Sequence, residues 1–408
     1  MTINLWAVNT SKNFWRLRDP VDDSVWEDAV RRALPVLRLN STPKDEGELL
    51  ELVLGEGQFG NGHWELSKIR RLYYALKPFI PRMLSRALRQ LLQSRHQRDF
   101  ELGWPIEERY PRFQFEVLKN VLELTGRSSV RFEPFWPQGR RCAFVLTHDI
   151  EEAKGQQFVR EVAGLEESLG FRSSFNFVPE RYRVDRSLIG ELRERGFEVG
   201  VHGLKHDGKL FSSHTEFMRR AARINHYLKK YGAVGFRSPL THRHPHWMQA
   251  LEIEYDLSFF DSDPFEPMPG GTMSVHPFFI GRFVELPYTL AQDYTLISVL
   301  GETTPRLWLE KVDFIEKYHG MALVNSHPDY LHDPASLELY RDFLSTMKAR
   351  SSQYWHALPR DVAAWWKNRA DSRPRGEMEG EGMAVAVLKD GQVSVEAGHG
   401  ALSYAPIS

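Results

Sequence analysis

The chain has 408 residues, enough for two or three domains and a sizeable buried core. Its 42% hydrophobic and 26% charged content is ordinary for a globular protein, and a formal net charge of −1 gives no global pull toward nucleic acid or an anionic membrane. The single cysteine, Cys142, excludes an internal disulfide framework and fits a reducing compartment. Residues Met1 to Lys12 lack the basic start and apolar stretch of a secretory signal, and no apolar run approaches the ~20 residues that span a bilayer. A cytoplasmic location is expected.

Residues 1–140 read as a mixed, mainly helical region, 141–370 as an α/β domain and 371–408 as a linker with a β appendage. Asn4–Val8 is strand-like, and Val25–Leu37 and Pro111–Thr125 are helical in pattern. In the run from Ser67 to Arg98, eight arginines and lysines from Arg70 onward interleave with leucines at helical spacing, with no acid between Glu65 and Asp99. That basic amphipathic run offers a peripheral membrane contact. The prolines Pro78 and Pro81 interrupt its face and favour a helix packed on the main domain with a solvated arginine side. The segment Arg131–Arg141, rich in proline and aromatics, reads as a linker.

From Arg141 strands and helices alternate. Strands are predicted at Cys142–Asp149, Arg172–Val178, Phe197–His202, Gly232–Arg237, Leu257–Asp261, Val284–Leu290 and Met321–His327. Helices are predicted at Gln156–Leu169, Arg186–Arg195, Thr215–Tyr231, Pro245–Leu251 and Pro305–Tyr318, and a closing helix begins near Leu358. This rhythm favours a distorted (β/α) barrel of about seven parallel strands. Ala384–Glu396 forms two alternating runs around Asp390-Gly391, a β-hairpin signal.

Reactive residues gather at the carboxyl ends of these strands, where a barrel places its chemistry. The first ends in Thr147-His-Asp-Ile-Glu151-Glu152 and the third in His202-Gly-Leu-Lys-His206. Later ends give Arg237-Ser-Pro239, Asp261-Ser-Asp263 and His327-Pro-Asp329. Two imidazoles and one carboxylate supply three ligands to a divalent ion and leave a fourth position open, the arrangement of a hydrolytic metal site. Glu152 suits a helix start and Asp329 a loop or capping role. The alternating histidines of Thr241–Trp247 precede a helix-opening Pro245 and read as a loop over the barrel mouth.

Together these motifs resemble the polysaccharide deacetylases, the NodB-homology group of carbohydrate esterase family 4, over roughly Arg141–Arg369. The resemblance implies a His-x-x-x-His metal motif at His202 and His206. Thr147-His-Asp-Ile departs from the family's Thr-Phe-Asp-Asp, so Asp149 is implied as the general base and Glu151 takes the ligand place of an Asp-x-Asp branch. It further implies that Arg237 holds the base and His327 is the general acid. Asp261, ahead of Asp263, is implied as the residue that orients the acid.

The reading is a metal-dependent hydrolase of carbon–nitrogen amide bonds, deacetylating an N-acyl sugar or glycan precursor. It carries one divalent ion, zinc first and other first-row metals next. Its partner is a carbohydrate or small amide, with no nucleic acid and no transmembrane segment. Two alternatives stand beside it: hydrolysis of a small amide or cyclic ureide, and a barrel that binds carbohydrate without catalysis. The residues do not indicate an oligomeric state.

Overall fold

The computed structural model describes residues 4–60, 62–65, 100–371 and 383–397, so the basic run 67–98 lies outside the described residues. The amino-terminal region supplies helices at Asp23–Ala33, Glu46–Val53 and Arg109–Thr125. Asn4–Val8 forms turn rather than strand. Leu5 and Trp6 are buried there, but a run this short reaches the core as well from a turn as from a strand.

Strand β1 (Ser129–Phe132) comes next and its last two residues fall in what the sequence read as a linker from Arg131. The barrel follows with β2 (Cys142–Ile150), β3 (Ser174–Phe177), β4 (Glu198–His202), β5 (Gly235–Arg237), β6 (Tyr255–Asp256), β7 (Phe278–Ile280), β8 (Phe283–Glu285), β9 (Met321–Ser326) and β10 (Tyr354–His356). Strands β3, β4, β5, β6 and β8 follow β2 in parallel order, and β9 pairs in parallel with the other side of β2. Seven parallel strands therefore curl into the expected barrel. It is distorted where β8 should meet β9: the N–H groups of Thr289 and Leu290 both donate to the Leu323 carbonyl at 3.1 Å in place of a regular ladder. Strand β7 is an antiparallel hairpin partner of β8, and β10 lies beside the first residues of β2.

All nine residues of β2 are buried, as a strand covered on both faces requires. Alternation then sorts its side chains. Thr147 and Asp149 face the barrel interior and meet Arg237. His148 faces outward, where Glu166 Oε1 (2.7 Å) and Ser326 Oγ (2.9 Å) bind its two nitrogens. Ser326 immediately precedes His327, so this outer network pins β2 to β9 just before the two motifs at their ends.

The predicted helices Gln156–Leu169, Arg186–Arg195, Thr215–Tyr231 and Pro305–Tyr318 appear within a few residues of their expected bounds. A long helix, Pro334–Ala349, was not anticipated. Its start was legible: Asp333 caps it by accepting from Ser336 N, and Pro334 stands at its first position. Of the strand expected at Leu257–Asp261 only a single bridge, Phe260 to Tyr288, forms, and the regular strand lies earlier at β6. Side chains of Asp256 and Glu285 take the nearby N–H groups of Ser258 and Phe259, which removes them from a ladder.

The carboxyl-terminal hairpin, β11 (Ala384–Lys389) with β12 (Gln392–Ala397), is not a separate appendage. Strand β11 pairs antiparallel with β1, giving a three-stranded sheet against the Arg109–Thr125 helix. One hydrophobic cluster runs from Leu5 through the barrel to Ala386. No helix among the described residues is long and apolar enough to cross a membrane.

Candidate active site

Strand register brings the polar groups together. Asp149 lies opposite Asn176, Asn176 opposite Gly200, His202 opposite Arg237, and Thr147 opposite Asn325. Position 200 must be glycine, because a Cβ there would sit 2.0 Å from Asn176 Oδ1.

Asp149 is 2% exposed and fully engaged. Its Oδ1 accepts from Asn176 Nδ2 (3.0 Å) and Arg237 Nη1 (3.2 Å), and its Oδ2 accepts from Asn325 Nδ2 (3.0 Å). Burial works against ionisation, but Arg237, His202 and His327 outweigh it and hold the carboxyl far below its usual range. Arg237 is itself locked, donating from Nε to the Leu257 carbonyl and from Nη1 to Thr147 and Asn325.

Glu151 continues the inward parity of Thr147 and Asp149 and lies beside the histidine pair. Its Oε1 is 2.8 Å from His206 Nε2, and one donor atom each from Glu151, His202 and His206 lie within 4.8 Å of one another. The two histidines are not on a helix: His202 ends β4, and the chain turns so that His206, at φ 53°, folds back with ring centroids 5.1 Å apart. A left-handed backbone at a non-glycine residue is costly and concentrates at functional sites. His202 Nδ1 meets the Arg237 carbonyl at 3.1 Å, which assigns the proton to Nδ1 and leaves a lone pair on Nε2. Burial, partly offset by Asp149, lowers His202 to about 4, so the ring is neutral. Nε2 of His202 and Nε2 of His206 are both buried and lack hydrogen-bond geometry to any partner, even though Glu151 stands close to His206. Buried polar atoms are rarely left so. Two imidazole lone pairs converging with a carboxylate fit a divalent first-row cation.

His327 is placed by Asp293, not by Asp261 or Asp263. Its Nδ1 is 2.6 Å from Asp293 Oδ1, and its backbone N–H donates to Asp293 Oδ2 at 2.7 Å. Asp261 is instead paired with Lys311 Nζ, which also donates to the Pro105 carbonyl, and Asp263 is held by Tyr288 and the Phe265 N–H. The expected Asp261 role fails because residues 257–260 do not continue a strand to the barrel mouth. Asp293, at the start of a π-helical turn Tyr294–Val299, arrives from the segment after β8. The one sequence signal for it is an acid just after an apolar run, Leu290-Ala-Gln-Asp293. Asn176 and Asn325 were likewise missed, being neutral residues inside apolar strands. Asp329 accepts from the N–H groups of Glu151 (2.9 Å) and Glu152 (3.1 Å) and so fixes the turn that presents the metal-ligand candidate. Gly155 makes room for it, since a Cβ would lie 2.1 Å from Asp329 Oδ2. His244 of the Thr241–Trp247 loop stacks on Trp247 at 4.1 Å, as part of a loop.

His327 Nε2 faces Asp149 Oδ2 at 4.0 Å. Burial lowers an imidazole, yet Asp293 reverses the effect and raises His327 to about 10. A histidine raised from its unfolded value of ~6.5 stabilises the fold fully below that pH and loses the contribution as pH rises through the folded value. In metal-free protein the melting temperature should therefore fall between pH ~7 and ~10. Asp293→Asn should flatten that slope, and an unchanged slope would contradict the pairing.

No family model and no curated protein matches the chain. Among solved structures, a protein assigned as a polysaccharide deacetylase from Mycobacterium smegmatis aligns at TM-score 0.48 and 20% identity, covering 61% of this chain and 98% of its own. One assigned the same way from Pseudomonas aeruginosa PAO1 gives 0.48 and 16%, covering 60% and 96%. The allantoinase PuuE gives 0.47 and 15%, covering 60% and 95%. The class defined by fold and site is an α/β barrel with a candidate His-His-carboxylate centre. The chemistry rests on the residues above.

Proposed function

We propose that the chain is a metal-dependent hydrolase that cleaves the amide of an N-acyl sugar or glycan precursor. The observation that carries this reading is the convergence of two buried imidazole nitrogens, His202 Nε2 with no partner and His206 Nε2 at 2.8 Å from Glu151 Oε1, on one carboxylate beside Asp149. Glu151, His202 and His206 would hold the ion, with zinc the first expectation. When bound, such an ion polarises an amide carbonyl and makes water more acidic.

The chain's own residues supply the proton transfers. Asp149, kept ionised by Arg237 and two asparagine amides, accepts a proton from the attacking water. His327 lies across from it, and Asp293 keeps the ring protonated and oriented. It delivers a proton to the departing nitrogen, which is a poor leaving group unless protonated. A base and an acid on two sides of one bond, with an electrophilic centre alongside, is the requirement of amide hydrolysis.

The test is metal analysis of protein purified without chelators, beside Glu151→Ala, with acetate release from N-acetylated oligosaccharides measured on both. Stoichiometric metal and acetate release in the parent, both lost in the variant, support the reading. A metal-free parent would sink it, and retained metal in the variant would remove Glu151 from the ligand set.

A further inference from the structure

Behind Asp149 lies a chain of side chains that the proton transfers above do not use. Asn325 Oδ1 faces Arg237 Nη1, which can only donate, so its Nδ2 must face Asp149 Oδ2 (3.0 Å) and Gln292 Oε1 (3.3 Å). Gln292 is then oriented too: with Oε1 toward Asn325, its Nε2 points at Glu266 Oε1, 2.5 Å away. Only one assignment of the two amides satisfies every contact. It needs Glu266 Oε1 to be an acceptor.

Around Glu266 protons are scarce. Thr241 Oγ1 is 2.7 Å from the Leu240 carbonyl and 2.6 Å from Glu266 Oε2. Tyr288 Oη is 2.9 Å from Glu266 Oε1 and 3.2 Å from Asp263 Oδ2. Four oxygen–oxygen contacts thus share the two hydroxyl protons of Thr241 and Tyr288. A carbonyl cannot donate, so the two carboxyls must supply the other two protons, Asp263 Oδ2 toward Tyr288 and Glu266 toward Thr241. A proton on Glu266 Oε2, given to Thr241, frees Thr241 to donate to Leu240 and leaves Oε1 to accept from Gln292. Both acids are buried, and burial raises each above its ordinary range; for Asp263 the neighbouring Glu266 adds to this, while for Glu266 the hydroxyls of Thr241 and Tyr288, and then Arg243 and His327, act against it without cancelling it.

We propose that Gln292 and Glu266 are positioning residues for Asp149: a neutral Glu266 fixes the Gln292 amide, which fixes Asn325, which holds Asp149 Oδ2. This rests on the reading of Asp149 as the base of a hydrolase. Gln292 also precedes Asp293, so one dipeptide orients both the base, through Asn325, and His327 directly.

The experiment compares Gln292→Leu, Glu266→Leu and Glu266→Gln in the full, metal-loaded chain. Misplacing a catalytic group by ~1 Å can cost ~100-fold, so both leucine variants should lower kcat about 10- to 100-fold, with KM within about twofold and metal content unchanged. Glu266→Gln should recover what Glu266→Leu loses, because a carboxamide copies a neutral acid: donor toward Thr241, acceptor toward Gln292. A Glu266→Gln variant as impaired as Glu266→Leu, or a Gln292→Leu variant with parental kcat, overturns the proposal. A second readout needs no turnover. The side-chain amide protons of Asn325 and Gln292, followed by NMR in the 15N-labelled chain, should be protected from exchange in the parent and in Glu266→Gln and unprotected in Glu266→Leu. If the parent binds metal but hydrolyses nothing, the hydrolase reading fails, and the amide signals alone decide for or against the positioning arm.

Discussion

Asp149→Asn should lower turnover by about 10²- to 10⁴-fold, the usual contribution of a general base, while metal content stays at the parental level. The separation follows from where the oxygens point. Asp149 spends its contacts on Asn176, Arg237 and Asn325, and its nearest approach to His202 is 3.8 Å at Nδ1, away from the unpartnered Nε2. An asparagine has one oxygen to offer three donor groups, so its NH2 must confront a donor. It also leaves the Arg237 guanidinium, 1% exposed, without its anion. Breaking a buried pair in this way costs about 3–5 kcal/mol, so the variant should also unfold at lower denaturant. Loss of metal in Asp149→Asn would mean that the carboxylate is a ligand and that base and ligand roles are exchanged.

The second large effect lies away from the chemistry. Glu56 and Arg243 are both fully buried, with Arg243 Nε donating to Glu56 Oε2 at 2.8 Å. Arg243 lies 4.5 Å from the centre of the Phe260 ring and also donates to the Thr241 carbonyl. The amino-terminal region is thereby joined to the loop that follows Arg237-Ser-Pro239 at the mouth of the barrel. Glu56→Ala would strand a guanidinium in an apolar, aromatic setting, at a cost of about 3–5 kcal/mol. Spread over an unfolding entropy of this chain length, that lowers the melting temperature by roughly 5 °C. A change of less than a degree would show that the charge finds water or another partner. Arg243→Met with Glu56→Met should be milder than either single change, since both charges leave together.

How far the sequence foretold these sites depends on what kind of residue each position uses. Strands β2, β3, β4 and β9 were legible because both faces are buried and the run is apolar without interruption. Asp149, Glu151, His202, His206, Arg237 and His327 were legible because charge at the end of such a run is conspicuous. Asn176, Asn325 and Gln292 are neutral and sit within or after apolar runs, so nothing separates them from ordinary polar filler until the fold sets Asn176 and Asn325 against Asp149 and Gln292 behind Asn325. Asp293 and Asp261 show the limit most clearly. Both are acids after an apolar stretch, and their roles differ because Lys311 reaches Asp261 first, a contact across fifty positions that no local pattern encodes. Strand β1 escaped notice for the same reason: its partner is at the other end of the described chain.

That pairing has a consequence for how the protein is made. Ser129 meets Val387 and Phe132 meets Ala384, so β1 has no hydrogen-bonding neighbour on that edge until residues 384–387 have been made. The barrel can assemble as its strands emerge in order, but the sheet beside it closes afterwards, across the widest sequence separation of any strand pair among the described residues. During that interval the backbone N–H and C=O groups of β1 that β11 will pair stand on an open strand edge, while Phe132 can already pack on Trp15 and Phe135. Nascent chains halted before residue 384 should therefore be the ones that self-associate, and supplying the Ala384–Ala397 hairpin as a separate peptide should quiet them.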